Sequence, residues 1–295
     1  MRLAIFDETR LGAVVAGGVV DVTAALPWAY DPDPATAGWW RRLCGEFDEV
    51  RDRLAAAARD GEPVPLDRVR LRAPVLNPSK LLAAASNYAD HVAEMHGVQE
   101  RTLGRVEHWM MDFDVFLKAP SSVIGPADDI VLPPAVLAAG HEVHHESELV
   151  VVIGRGGRDI PESAALEHVF GYAIGLDITV RSDGDRSRRK SYDTFSPIGP
   201  WVTTADEAGD PADFDIELTC SGQPRQKVNT AALITPVPAI IAYASSVMTL
   251  VPGDVIFTGA PPGVGPIVAG DVLDTSISRL GEMRIQVKQP TFPQY

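Results

Sequence analysis

The chain has 295 residues, 45% hydrophobic and 22% charged, the profile of a soluble globular protein with room for a sizeable core. Its formal net charge of −14, with an isoelectric point near 4.9, argues against nucleic acid or an anionic membrane as a partner. Its two cysteines, Cys44 and Cys220, are far apart and in no metal-like spacing, which suits a reducing cytoplasm better than a disulfide scaffold.

The N-terminus, MRLAIFDETRLG, reaches Asp7 and Glu8 without the apolar stretch of a signal peptide, so a cytoplasmic protein is expected. Residues 2–23 alternate short β-prone runs with the turn signals DETR and GG and predict hairpins. DEVRDRLAAAARD (48–60) predicts a helix stopped by Gly61. The segment that follows, GEPVPLDRVRLRAPVLNPSK, carries four prolines and reads as a linker or edge. A small N-terminal domain over 1–70 and a larger one over 71–295 are therefore expected.

From Lys80 onward, short aliphatic runs recur between glycines and prolines: DDIVLPP, SELVVVIG, FGYAIGLDITV, DFDIELTCSG, GDVIFTG and EMRIQV. This predicts a β-rich α+β domain on a coiled or barrel-like sheet core. SAALEHVFG and PVPAIIAYASSVMTL are the best helix candidates. The uncharged stretch 231–251 is long enough to span a membrane, but Pro236, Pro238, Ser245 and Ser246 argue for a buried helix. Thr235 would be its N-cap and Pro236 its first-turn proline.

Four groups of residues carry potential chemistry. In HHESELVVVIG (144–154), Glu146 and Glu148 lie two apart, on one side of an extended chain. Two like charges so close are tolerated only if a cation sits between them or water covers them. Asp177 follows the apolar run GYAIGL and supplies a third carboxylate, a donor set that suits Mg²⁺ or Mn²⁺. In SNYADHVAEMHG (86–97), His91 and Glu94 are three apart, one face of a helix, where the carboxylate can make the imidazole a general base for water. Lys190 precedes an aromatic, proline-rich turn and beside a metal would stabilise a developing oxyanion. Each also has a plainer reading: a solvated strand end, a turn residue, a surface pair, a solvated lysine. A rival metal site would use His141, His144 and His145 as zinc or iron ligands, although only His144 shares the side of Glu146 and Glu148.

The sequence resembles the fumarylacetoacetate hydrolase family. The likeness runs from about Lys80 to the C-terminus, through SNYADHVAEM, FLKAPSSVIGP, HHESELVVVIG, GYAIGLDITVRS, RKSYDTFSPIGPW and LVPGDVIFTGAPPGVGP, in the family's order. The resemblance implies a fold of rolled mixed sheets with a Mg²⁺ or Mn²⁺ on Glu146, Glu148 and Asp177. It implies catalytic roles for Lys190, His91 and Glu94, and substrate-binding roles for Arg181, Tyr192, Thr258 and Gly259. It also implies a small-molecule 2-oxo acid substrate and a homodimer. The expected reaction is hydrolysis of a C–C bond in a 2,4-dioxo acid such as an acylpyruvate, by way of a metal-stabilised pyruvate enolate. The alternative is a decarboxylase or isomerase with the same metal site. Three features depart from the family's pattern: Leu176 before Asp177, SDGDRSRR between Arg181 and Lys190, and the long MHGVQERTLGRVEHWMMDFDV after Glu94.

Overall fold

A computed structural model gives the fold and describes residues 1–106 and 111–289. At its centre is the strand Ser147–Ile153, buried along its whole length. Leu149, Val151 and Ile153 enter one hydrophobic core, with Tyr172, Ile174 and Leu176. Val150 and Val152 enter a second, with Leu81, Ala83 and Phe257. A strand covered on both faces has no side for polar residues, which is why SELVVVI is aliphatic without alternation.

This strand is flanked by antiparallel neighbours, Val169–Leu176 and Val255–Phe257. On one side the sheet continues through Leu81–Ala85, parallel to Val255–Phe257, to the edge strand Asp114–Lys118. On the other it continues through Ser196–Thr204 to the N-terminal strands Arg2–Phe6, Arg10–Val15 and Gly18–Asp21. The expected hairpins are thus outer strands of the main sheet. Helices Gly38–Gly45 and Phe47–Asp60 pack onto it, Trp40 and Phe47 meeting the ring of Phe170 edge-on at 5.9 and 5.3 Å. A five-stranded sheet built on Asp215–Cys220 and Val272–Ile277 closes the first core. A small third sheet joins Thr179–Arg181, Glu142–His145 and Gly265–Pro266.

Two elements differ from expectation. The buried helix is Val237–Val247, with Pro236 rather than Thr235 at its cap. Thr235 is committed elsewhere: Asn87 accepts its N–H at 2.7 Å and donates to its carbonyl at 2.9 Å. Where SAALEHVFG predicts a helix, Glu162–His168 form a 3-10 helix, and Val169 has already turned into the strand that pairs with Ile153. Among the described residues, no helix is long and apolar enough to cross a membrane.

Candidate active site

Strand register brings the three carboxylates together. Leu176 pairs with Ser147 and Gly175 with Glu148, so the end of one strand lies beside the start of the other. Glu146 occupies the break between Glu142–His145 and Ser147–Ile153 rather than the strand itself, and its carbonyl accepts the N–H of Asp177 at 2.8 Å. Carboxylate oxygens of Glu146, Glu148 and Asp177 lie within 4.8 Å of one another, and all three residues are buried.

Such a cluster stands only with positive charge at hand. Lys190 Nζ donates to Glu146 Oε2 at 2.7 Å and to Asp177 Oδ2 at 2.5 Å. Arg181 donates to Glu146 Oε1 at 2.5 Å. Lys118, fully buried, donates to Asp177 Oδ1 at 2.6 Å and to the Phe195 carbonyl at 2.9 Å. Burial would lift the Glu146 carboxyl, but Lys190 and Arg181 overcome it and hold it well below the usual range. Glu148 goes the other way: burial first, then Asp177 beside it, pushes its carboxyl well above that range. Glu148 accepts the backbone N–H of Gly259 at 2.7 Å. Three converging oxygen donors, one of them destabilised as an anion, fit a hard divalent cation. Lys118 was not singled out in the sequence, although it stands in the block FLKAPSSVIGP; nothing in a lone lysine marks it as buried.

Helix Ala89–Leu103 forms one wall. His91 is buried on it, its Nδ1 3.5 Å from Glu94 Oε2, an ion-pair separation longer than a hydrogen bond. Glu94 Oε2 also accepts the Gly263 N–H at 3.1 Å. Burial works to raise the Glu94 carboxyl, and His91 with the N–H groups of Gly263 and Val264 holds it below its ordinary value. At the helix's far end Arg101 clamps both oxygens of Glu142, which also meets His144 Nε2 at 2.8 Å. Under the helix lies a cavity lined by His91 and Gln99 from above and by Glu146, Glu148 and Lys190 from below.

The remaining expected residues are distributed unevenly. Arg181 lines the cavity. Thr258 is buried behind it, its hydroxyl donating to the Leu149 carbonyl at 3.0 Å, and Gly259 serves Glu148 through its N–H. Tyr192 packs at a tilt against Phe195, 5.3 Å between centroids, and is not among the described lining side chains. The histidines turn away from the carboxylates: His144 to Glu142, His145 Nδ1 to Gln226 Oε1 at 3.4 Å, while His141 is exposed. Among the described residues, the cluster able to hold a metal is made of carboxylates alone. Of the long segment after Glu94, residues 107–110 lie outside the described residues.

Comparison with known proteins joins this geometry to a lineage. The family described as fumarylacetoacetate (FAA) hydrolase, C-terminal, matches residues 80–288. The chain belongs to the fumarylacetoacetate hydrolase family. It is 37% identical over 291 residues to the maleylpyruvate hydrolase of Aquipseudomonas alcaligenes, covering 98% of this chain and 99% of that one. The crystal structure of maleylpyruvate hydrolase from Sphingobium sp. SYK-6 with manganese(II) and pyruvate matches at a TM-score of 0.85 and 41% identity, covering 99% and 100% of the two chains. The 5-carboxymethyl-2-hydroxymuconate delta-isomerase of Mycobacterium smegmatis matches at 0.72 and 32% identity, covering 98% and 100%. The family and its β-rich α+β fold are as the sequence blocks implied.

Proposed function

We propose that this family member is a divalent-metal-dependent hydrolase that cleaves the C3–C4 bond of an acylpyruvate, a 2,4-dioxo acid, to give pyruvate and a free carboxylic acid. The observation that carries this reading is that one cavity has Glu146 and Glu148 on its floor and His91, backed by Glu94, on its roof. Maleylpyruvate hydrolases, similar over nearly the whole chain, support it.

When bound by Glu146, Glu148 and Asp177, Mg²⁺ or Mn²⁺ supplies Lewis-acid stabilisation of negative charge on the 2-oxo acid. The chain's own groups do the rest. His91, its imidazole oriented by Glu94, takes a proton from water as the water oxygen bonds to C4. The C3–C4 bond then breaks, its electron pair passing into the pyruvate half, and the proton held by His91 returns to C3. Lys190 and Arg181 place positive charge at the floor where that electron pair collects. Thr258 and Gly259 shape the wall behind Glu148, and Tyr192 braces the turn that carries Lys190. Residues 1–70 form an N-terminal unit that extends the main sheet, and the working protein is a cytoplasmic homodimer.

The test is the ultraviolet absorbance of acetylpyruvate and fumarylpyruvate with protein and Mg²⁺ or Mn²⁺, then with excess EDTA, with products identified. Metal-dependent loss yielding equal pyruvate and free acid is expected. A second reading, as an isomerase or a decarboxylase of a related 2-oxo acid, is supported by the isomerase likeness. Conversion of the substrate into an isomer of unchanged mass, without release of pyruvate, would favour isomerisation, and release of carbon dioxide would favour decarboxylation.

A further inference from the structure

We infer that Gln226 is a positioning residue for the metal floor: its side chain ties the segment that carries Glu146 and Glu148 to the loop 258–263, which reaches both floor and roof. This rests on the metal-dependent reading above and adds to it a residue from a different sheet.

The strand Gln223–Asn229 is an edge of the five-stranded sheet. Leu218 pairs with Gln226 and Thr219 with Pro224, so Arg225 is an extra residue in the ladder, a β-bulge. A bulge re-aims the side chains beside it. Gln223, Pro224 and Arg225 are exposed, whereas Gln226 is buried, at 2% exposure. Both ends of its amide are used there. Oε1 accepts the Ser147 N–H at 2.9 Å, and Nε2 donates to the Pro261 carbonyl at 2.9 Å. That N–H belongs to the peptide between Glu146 and Ser147, so the bond fixes the backbone from which two of the three carboxylates project. The Ser147 hydroxyl also meets Thr275 Oγ1 at 2.7 Å, on the same five-stranded sheet. The floor segment is therefore held twice, and Gln226 is the contact that also takes hold of the loop.

The loop joins the two halves of the site. Its Gly259 N–H goes to Glu148 on the floor, and its Gly263 N–H goes to Glu94, behind His91, on the roof. Asn87 holds the start of the loop through the Thr258 carbonyl at 2.8 Å. Pro261 lies midway between the two glycines. Gly263, with φ of +91°, passes so close to the bulge that a Cβ there would stand 2.0 Å from the Arg225 carbonyl oxygen. Loop and bulge fit at this one place, and the Gln226 amide locks the fit. Without it Gly259 and Gly263 are no longer held in line with Glu148 and Glu94, and a metal ligand and the partner of the base both lose their aim. Groups that orient ligating carboxylates in this way govern metal affinity and turnover.

The experiment compares wild type with three variants. Gln226→Met keeps the length and removes both hydrogen bonds. Gln226→Asn keeps the amide but is too short to make both. Ile216→Val is a buried apolar defect on the neighbouring strand Asp215–Cys220. Amide exchange of the metal-free protein, Mn²⁺ calorimetry, and kcat on acetylpyruvate at saturating Mn²⁺ are measured for each. Gln226→Met should exchange faster over 258–264, bind Mn²⁺ roughly 10- to 100-fold more weakly, and lose kcat by a similar factor with little change in KM. Gln226→Asn should show the same changes to a lesser degree, and it decides the matter if Gln226→Met does not fold. Ile216→Val should unfold at lower denaturant and show none of them. Unchanged exchange or unchanged Mn²⁺ affinity in the deciding Gln226 variant, or the same losses in Ile216→Val, would overturn the assignment. If wild type cleaves no acylpyruvate, the hydrolase reading fails by itself, and exchange with Mn²⁺ affinity still decides the role of Gln226.

Discussion

Gly259 aims its N–H at Glu148 Oε2 across 2.7 Å, from a backbone with φ of +105°. A Cβ there would lie 2.7 Å from the Cβ of Asn87. Asn87 cannot give way freely, since its amide donates to the carbonyls of Thr258 and Thr235. Gly259→Ala is expected to lower stability by about 1–3 kcal/mol and to weaken Mn²⁺ binding roughly tenfold, because the shifted backbone no longer aims its N–H at the carboxylate. Denaturant unfolding and metal calorimetry check both, and an unchanged Mn²⁺ affinity would detach this N–H from the metal site.

The roof and floor of the cavity are separable. His91→Ala should lower kcat by about 10²- to 10⁴-fold, the usual span for a general base. Glu94→Gln should lower it less, since the amide still accepts the Gly263 N–H while losing the charge beside His91. Mn²⁺ affinity should change little in either, because neither residue belongs to the carboxylate cluster. Steady-state kinetics alongside metal calorimetry tests this, and a His91→Ala enzyme at wild-type turnover would take His91 out of the reaction.

Lys118→Met should be strongly destabilising. It strips Asp177 Oδ1 of a buried ammonium and leaves the Phe195 carbonyl without that donor. Breaking a buried pair from one side costs about 3–5 kcal/mol, here reduced because Lys190 still holds Oδ2. Urea unfolding of the metal-free protein reads the loss. Mn²⁺ should restore more stability to the variant than to wild type, since the cation replaces a missing positive charge.

The roof helix is clipped at its far end by Arg101 on Glu142, an exposed pair. Arg101→Ala should therefore cost under about 1 kcal/mol yet loosen the helix that carries His91. The expected signature is faster amide exchange over 95–103 and a KM raised several-fold. Identical exchange in the two proteins would show that the clip does not restrain the roof.

That clip also has a defined pH range. Arg101, and then His144, holds the Glu142 carboxyl down at about 2, against an ordinary value of 4.5. A carboxyl depressed in the fold contributes stability that is complete above the ordinary value and is lost as pH falls toward the folded one. The stability difference between wild type and Arg101→Ala should thus be constant from pH 8 to about 5 and shrink below about 4.5. A difference that changes between pH 8 and 6 would contradict the pairing.

The local chemistry was legible in the chain because local geometry decides it. SELVVVI reads as a strand, and Glu146 and Glu148 at two residues' spacing bring their carboxylates together, although Glu146 stands in the break just before that strand. His91 and Glu94 share a face because their spacing fits a helical turn. Gly61 marks the helix end, and the ordered blocks pointed to the family. What the sequence left open depends on which distant segments meet. Asp177 joins the glutamates only because Gly175 and Leu176 pair with Glu148 and Ser147. Lys118, 59 positions from Asp177, arrives on an edge strand beyond Leu81–Ala85. Thr235 loses its capping role to Asn87, and His144 and His145 lose a ligand role because Glu142 and Gln226 hold them. Spacing along a helix or strand follows from bond geometry within a few residues. Charge compensation in a buried site depends on sheet register and on cations brought from far along the chain, which only the packed structure sets.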